Sequence, residues 1–373
     1  FEHLPVRDVV SWNALIAGYA QHGLGDEALK CFKQMKGAGI CPNAITYVCI
    51  LKACGIVRSL EIGEDIDAAI RKEGLLQNNN VLGNALLDMY SKCGALEKAC
   101  KVFEELPVRD VVTWNALITG YTNHGLGCEA LKCFKQMTDA RVVPNVVTYI
   151  CILKACGIMG ILETGKGIDA EIQKRGLLNK DVVLGSALVD MYSKCGALKK
   201  AQEVFQKLLV RDAVAWNALL TGYAQLGQAN VVLGLYKQMR EENVMPDSVT
   251  FIVLLNMCSH AGLVEEGERL FDEMCDVYCL SPVLEHYTCM VDLFSRAGHF
   301  DKVISVIEGV PLGDQLPLWL TLLGACYKWV NVHLGRWAFK RSLQLDEKCE
   351  ASYVCMGNIY ATTDSHGKTN LKF

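Results

Sequence analysis

The chain has 373 residues, a formal net charge of -4 at pH 7, and 51% apolar against 21% charged residues. This composition supplies a continuous core and argues against disorder. The charge excludes a nucleic-acid interaction that depends on bulk positive charge alone, although it allows a locally basic groove. No apolar run approaches the ~18 residues that a membrane span needs, so we expect no membrane partner.

The 18 cysteines show no metal-site or disulfide pattern. They lie in apolar stretches such as residues 52–55 and 154–157, and no CxxC pair occurs. Cys275 and Cys279 come nearest to a ligand pair but have no partnered cysteine or histidine pair at zinc-site spacing. We interpret the cysteines as reduced core side chains and expect neither a metal nor a cofactor.

The first predicted unit is a helical hairpin over residues 9–43. Apolar residues recur at i, i+3, i+4 and i+7 in two successive stretches, namely Trp12, Leu15, Ile16 and Tyr19, then Ala28, Leu29, Phe32 and Met35. Gly23 and Gly25 indicate a turn between the two helices, and Gly39 and Pro42 end the second helix.

The hairpin repeats along the chain. Residues 6–15 recur almost unchanged at 108–117 and 210–219, a period of 102 residues that divides into hairpins of 35, 36 and 31 residues. A single hairpin cannot bury both of its apolar faces, so neighbouring hairpins must stack. The sequence therefore predicts an all-α, right-handed superhelical solenoid of helix-turn-helix repeats with a concave inner surface.

Residues 9–19 and 82–94, with the alternating unit lengths, resemble the P, L and S motifs of plant pentatricopeptide repeat (PPR) proteins of the PLS subfamily. The resemblance divides 9–315 into nine repeats: P-type 9–43, 111–145 and 213–247, L-type 44–79, 146–181 and 248–283, S-type 80–110 and 182–212, and an S-type variant, 284–315. Residues 1–8 match the end of an S-type repeat, so we expect the chain to be a fragment.

The remaining residues resemble the E-type tail of the same family. Residues 318–326 match the first tail motif, assigned to 316–349, and residues 352–361 match the start of the second, truncated motif, assigned to 350–373. Members with this tail are similar to site-recognition factors of organellar C-to-U RNA editing. The resemblance thus implies single-stranded organellar RNA as partner, a DYW-type deaminase or other editing factor supplied in trans, and a mitochondrial or plastid location.

A deaminase of the chain's own is not expected. A zinc deaminase needs a His-x-Glu motif and a downstream Pro-Cys-x-x-Cys motif, and neither occurs in this sequence. The 8 histidines are dispersed, so no nucleophile, base and metal set converges. We therefore assign no catalytic residue and do not expect an enzyme.

In this family the fifth and last residues of a unit resemble a code that reads one base per repeat. An acceptor-only Asp suits the imino N–H of U or G, and an Asn amide suits the ring-nitrogen acceptor of C or A. The pairs are Asn13 with Asn43 (C), Asn84 with Asp110 (U), Asn115 with Asn145 (C), Ser186 with Asp212 (G, since compact Ser leaves room for a purine) and Asn217 with Asp247 (U). L-type units have an aliphatic fifth residue and receive no base, which gives C-n-U-C-n-G-U from 5′ to 3′.

Two further sets of residues are candidates for RNA contacts. The second residue of each unit is aliphatic and could stack on bases, the set being Val10, Ile45, Val81, Val112, Val147, Val183, Val214 and Val249. Lys92, Lys194 and Arg296 recur at the thirteenth position and are candidate phosphate contacts. The alternatives are that the aliphatic residues belong to the core, the reading pairs are solvated helix starts or caps, and the cations are solvated surface charges.

Two other functions fit parts of the pattern. An organellar RNA stabilisation or splicing factor would share the same RNA-binding surface. A protein-binding scaffold of tetratricopeptide repeats would share the core spacing, but its constant unit of ~34 residues leaves the 35/36/31 alternation unexplained.

Overall fold

The computed structural model describes residues 7–76, 79–178, 181–310 and 315–369, with side chains up to residue 362. Within these ranges all regular secondary structure is helical and no strand forms, which confirms the predicted all-α class. No helix in these ranges is both long and apolar enough to cross a bilayer. Most of the partial unit at 1–8, residues 311–314 of the last repeat and the end of the tail lie outside the described residues.

The chain divides into two compact parts, residues 1–197 and 198–373. The first part contains, in chain order, α1 (Val9–Gln21), α2 (Gly25–Gly37), α3 (Ala44–Val57), α4 (Leu60–Lys72), α5 (Asn80–Lys92), α6 (Leu96–Glu105), α7 (Val111–Asn123), α8 (Gly127–Asp139), α9 (Val146–Met159), α10 (Leu162–Lys174) and α11 (Val182–Lys194).

The second part contains α12 (Leu198–Lys207), α13 (Ala213–Gln225), α14 (Ala229–Glu241), α15 (Ser248–Ala261), α16 (Val264–Asp272), α17 (Leu284–Ala297), α18 (Phe300–Gly309), α19 (Leu316–Lys328), α20 (Val332–Leu345) and α21 (Glu350–Thr369). A π-helical turn, Glu273–Val277, follows α16 directly.

Within each part, hairpins stack through their first helices. In the first part α1 packs against α2 of its own hairpin and against α3, the first helix of the next hairpin. The same pattern holds in the second part, where α13 packs against α14 and α15. Contacts between sequence neighbours of this kind are what a linear repeat array requires.

The core of the first hairpin follows the predicted helical spacing. Trp12 and Ile16 of α1 are buried, as are Phe32 and Met35 of α2, whereas Tyr19 is only half-buried. Gly23 and Gly39 have φ of 77° and 74°, a left-handed conformation that glycine adopts without a Cβ clash. Gly25, predicted to lie in the turn, is instead the first residue of α2.

The cysteines are free thiols, and many are buried among apolar side chains. Burial raises the pKa of Cys54 and of Cys133 to about 12, so both stay protonated at neutral pH. No group of three or more potential metal ligands occurs among the described residues. This arrangement agrees with cysteine as a small core residue.

Candidate nucleic-acid interface

The last residue of each P-type unit caps the first helix of the unit that follows. Asn43 Oδ1 accepts the backbone N–H of Thr46 at 3.0 Å, and Thr46 Oγ1 accepts the backbone N–H of Asn43 at 3.0 Å. The same reciprocal capping box joins Asn145 to Thr148 before α9 and Asp247 to Thr250 before α15. Two backbone donors that the helix itself cannot satisfy are thus paired at each junction.

The last residues of the S-type units are caps as well. Asp110 Oδ1 accepts the backbone N–H of Val112 at 3.0 Å and of Thr113 at 2.9 Å, and Asp212 Oδ1 accepts that of Ala215 at 2.9 Å. The interpretation of these residues as helix caps is therefore correct. It does not exclude a second role, because capping engages one of the two polar atoms of each side chain.

The fifth residue of each P-type unit is bonded to the last residue of the same unit. Nδ2 of Asn13 donates to Oδ1 of Asn43 at 3.1 Å. The corresponding distance is 3.0 Å from Asn115 to Asn145 and 2.9 Å from Asn217 to Asp247. The structure therefore joins these predicted pairs directly, across 30 residues of sequence.

Burial distinguishes the two members of each pair. Asn13, Asn115 and Asn217 are only 7%, 8% and 7% exposed. Their partners lie further out, since Asn43 and Asn145 are exposed and Asp247 is half-buried. The last residue is therefore the member of each pair that is more open to a ligand.

The atoms left over by capping differ in hydrogen-bonding character. Oδ1 of each last residue is engaged, whereas Nδ2 of Asn43 and Asn145 and Oδ2 of Asp247 make no hydrogen bond to any described residue. Nδ2 is a donor and an ionised carboxylate oxygen is an acceptor. A P-type unit that ends in Asn therefore presents a hydrogen-bond donor where one that ends in Asp presents an acceptor.

The S-type pairs are organised differently. Asn84 is half-buried, and its Oδ1 is buried with no hydrogen-bond partner among the described residues. No hydrogen bond joins Asn84 to Asp110. Ser186 is 1% exposed and donates to the backbone carbonyl of Val182 at 3.0 Å. Because Ser186 and Asp212 belong to different parts of the chain, their pairing stays a prediction.

The aliphatic second residues are exposed rather than packed in the core. Their exposed fractions range from 50% for Val147 to 68% for Val10. All eight lie within that range, the others being Ile45, Val81, Val112, Val183, Val214 and Val249. The interpretation of these residues as core side chains is therefore wrong.

The three candidate phosphate contacts are each neutralised within their own helix. Lys92, Lys194 and Arg296 bond the carboxylate four residues earlier, at Asp88, Asp190 and Asp292, each at 2.7 Å. All three pairs are partly exposed, so they contribute little to stability. Contact of these three cations with phosphate stays a prediction.

The chain is a helical repeat protein, because its hairpins stack through capped junctions. Exposed aliphatic residues and polar pairs recur at equivalent positions of the units and form a candidate binding surface. The PPR repeat family matches residues 7–55, 109–157 and 211–260, and single PPR repeats match 84–111, 186–212, 249–279 and 285–309. These stretches together exceed half of the chain. The chain belongs to the pentatricopeptide repeat family, which excludes the tetratricopeptide alternative.

Similar proteins in Arabidopsis thaliana carry the same family name. One pentatricopeptide repeat-containing protein is 35% identical over 369 residues, covering 97% of this chain and 65% of its own length. A relative named chloroplastic is 40% identical, covering 88% of this chain and 44% of its own length. A relative named mitochondrial is 35% identical, covering 97% and 52%. The chain thus spans about half to two thirds of the length of these relatives.

The fold also matches a solved structure. The crystal structure of the pentatricopeptide repeat protein PPR10 from maize aligns with 98% of this chain and 63% of its own chain. The TM-score is 0.52 at 20% sequence identity. At this identity the likeness shows the shared fold.

We predict that Val112→Ala barely changes the free energy of unfolding, by less than ~0.5 kcal/mol, because this side chain is 56% exposed. The matched control is Val102→Ala in α6, where the side chain is 1% exposed and its removal should cost more than ~1 kcal/mol. Urea unfolding of both variants measures the difference. If both variants lost the same free energy of unfolding, the second residues would have to be core side chains.

Proposed function

We propose that this chain binds single-stranded RNA in a sequence-specific manner and reads one base in each of the three P-type units and in the S-type units at 80–110 and 182–212. The observation that carries the proposal is the polar atom left free on the capping residue. A free Nδ2, as on Asn43, can donate to the ring nitrogen of C, and a free Oδ2, as on Asp247, can accept the imino N–H of U.

The exposed aliphatic residues support the same proposal. An exposed aliphatic side chain three residues before the fifth residue gives a base an apolar surface against which to pack. The proposal does not depend on bulk charge. This fits a chain with a net charge of -4 whose candidate phosphate contacts are already paired.

We further propose that the bound RNA is an organellar transcript and that the chain acts as a site-recognition factor for C-to-U editing. Two observations support this proposal. Residues 318–326 in α19 and 352–361 in α21 resemble the E-type tail motifs, and two relatives are named chloroplastic or mitochondrial. Residues 316–361 would dock the deaminase.

We predict preferential binding of single-stranded C-n-U-C-n-G-U over a scrambled strand of the same composition. Each mismatched base leaves a polar group unpaired at ~1–3 kcal/mol, or roughly 5- to 150-fold in affinity. Duplex RNA should bind poorly because base pairing hides the edges being read. Gel shifts with the three RNAs measure this, and equal affinities would refute the proposal.

We predict that Asp247→Asn reverses the preference of its unit from U to C. The amide keeps Oδ1 for the capping box, as Asn43 and Asn145 do, but replaces the free acceptor by a donor. Titration of two strands that differ only in their last base measures the preference. Asp139→Asn is the charge-matched control, since Asp139 is an exposed residue at the end of α8. An unchanged U preference in Asp247→Asn would contradict the assignment.

We predict that the purified chain leaves cytidine unchanged in RNA that it binds, since the sequence lacks the zinc deaminase motifs. Uridine should form when a DYW-type deaminase is added, and deletion of residues 316–373 should abolish this stimulation. Sequencing of the incubated RNA measures the conversion. Uridine formation by the chain alone would overturn the prediction.

A further inference from the structure

The buried threonine at the third position of each L-type unit contacts both members of the reading pair before it. Thr46, Thr148 and Thr250 are 0% exposed. Their Oγ1 atoms lie 2.6, 2.7 and 2.7 Å from the Oδ1 atoms of Asn13, Asn115 and Asn217. We propose that these threonines are positioning residues that set the base preference of the preceding unit, an inference that rests on the RNA-binding function proposed above.

The direction of the threonine hydrogen bond is fixed by its neighbours. Thr250 Oγ1 accepts the backbone N–H of Asp247 at 3.1 Å, and its single proton has two acceptors within reach. Asn217 Oδ1 lies at 2.7 Å, closer than Asp247 Oδ1 at 3.0 Å. The hydroxyl proton therefore goes to the carbonyl oxygen of Asn217, as the shorter O–H···O distance indicates.

That bond sets the orientation of the asparagine amide. With Oδ1 of Asn217 facing the hydroxyl, its Nδ2 faces Asp247 and donates to Oδ1 at 2.9 Å. If the amide were reversed, its Oδ1 would face a carboxylate oxygen, and two acceptors cannot bond each other. The threonine thus holds Asp247 Oδ1 in the capping box and leaves Oδ2 as the reading atom.

The S-type junction shows the arrangement without this link. Thr113 Oγ1 donates to Asp110 Oδ1 at 3.0 Å but makes no hydrogen bond to Asn84, whose Oδ1 has no partner among the described residues. The amide of Asn84 is therefore not oriented by the next unit. The P-type units should discriminate between bases more sharply than the unit at 80–110.

The sequence places threonine at the linking position of every L-type unit, although the same spacing between Asp110 and Thr113 does not make the link. Each L-type unit has threonine three residues after the capping Asn or Asp, at 43 and 46, 145 and 148, and 247 and 250. Serine is the only other side chain that places a hydroxyl at the same distance from the backbone. Valine has nearly the same shape as threonine but lacks the donor.

Thr250→Val in the full chain tests the proposal, with Thr250→Ser as the rescue variant. The readout is the ratio of affinities for two strands that end in U or in C. Loss of the hydroxyl should reduce this ratio about fivefold, the equivalent of one ordinary hydrogen bond, while serine should keep it. The preference for C at the first position, read by the unit at 9–43, should not change.

Thr122→Val is the matched control for the removal of a buried hydroxyl. Thr122 is 2% exposed, and its Oγ1 donates to the carbonyl oxygen of Ile118 within α7, at 2.8 Å. This variant should keep the U-over-C ratio of the wild-type chain. Thermal unfolding gives the midpoint temperature of each variant, and binding is measured well below the lowest midpoint, where all variants are folded.

Each outcome decides the matter. A reduced ratio in Thr250→Val with a retained ratio in Thr250→Ser supports the positioning role. An unchanged ratio, or an equal loss of affinity for both strands, overturns it and leaves Thr250 as a structural cap. A wild-type chain that does not distinguish the two strands refutes the proposed function itself, and this inference with it.

Discussion

The N-terminus of every first helix presents backbone N–H groups that the helix cannot satisfy, and the preceding unit must supply their acceptors. In this chain the last residues of seven units supply them, namely Asn43, Asn79, Asp110, Asn145, Asp181, Asp212 and Asp247. Loss of such a cap costs ~1 kcal/mol, so the last position is constrained before any ligand is considered.

The same constraint explains why the capping position suits recognition. Asn and Asp each have two polar atoms on one carbon, so one atom can cap the helix while the other faces a base. The interchange of Asn43 or Asn145 with an Asp, such as Asp247, keeps the cap and changes only the free atom. In the proposed mode of reading, specificity therefore changes from unit to unit at little cost to the stacking of hairpins.

The repeat pattern predicted the helical class and the first hairpin, because both depend on local spacing. The pairing of fifth with last residues in the P-type units, 30 residues apart, was predicted only from the family resemblance. Burial could not be predicted in the same way. Val10 and Asn13 lie three residues apart in α1, yet the aliphatic Val10 is 68% exposed and the polar Asn13 only 7% exposed. The carboxylate partner of Lys92, by contrast, was readable from sequence as Asp88, four residues earlier.

The most direct test of the free-atom assignment changes the RNA rather than the protein. N3-methyluridine in place of the final U of C-n-U-C-n-G-U removes the imino N–H that Asp247 Oδ2 is proposed to accept. Affinity should fall by roughly 5- to 150-fold, whereas the same modified base at an n position should have no effect. Equal affinities for the modified and unmodified final base would contradict reading by the capping residue.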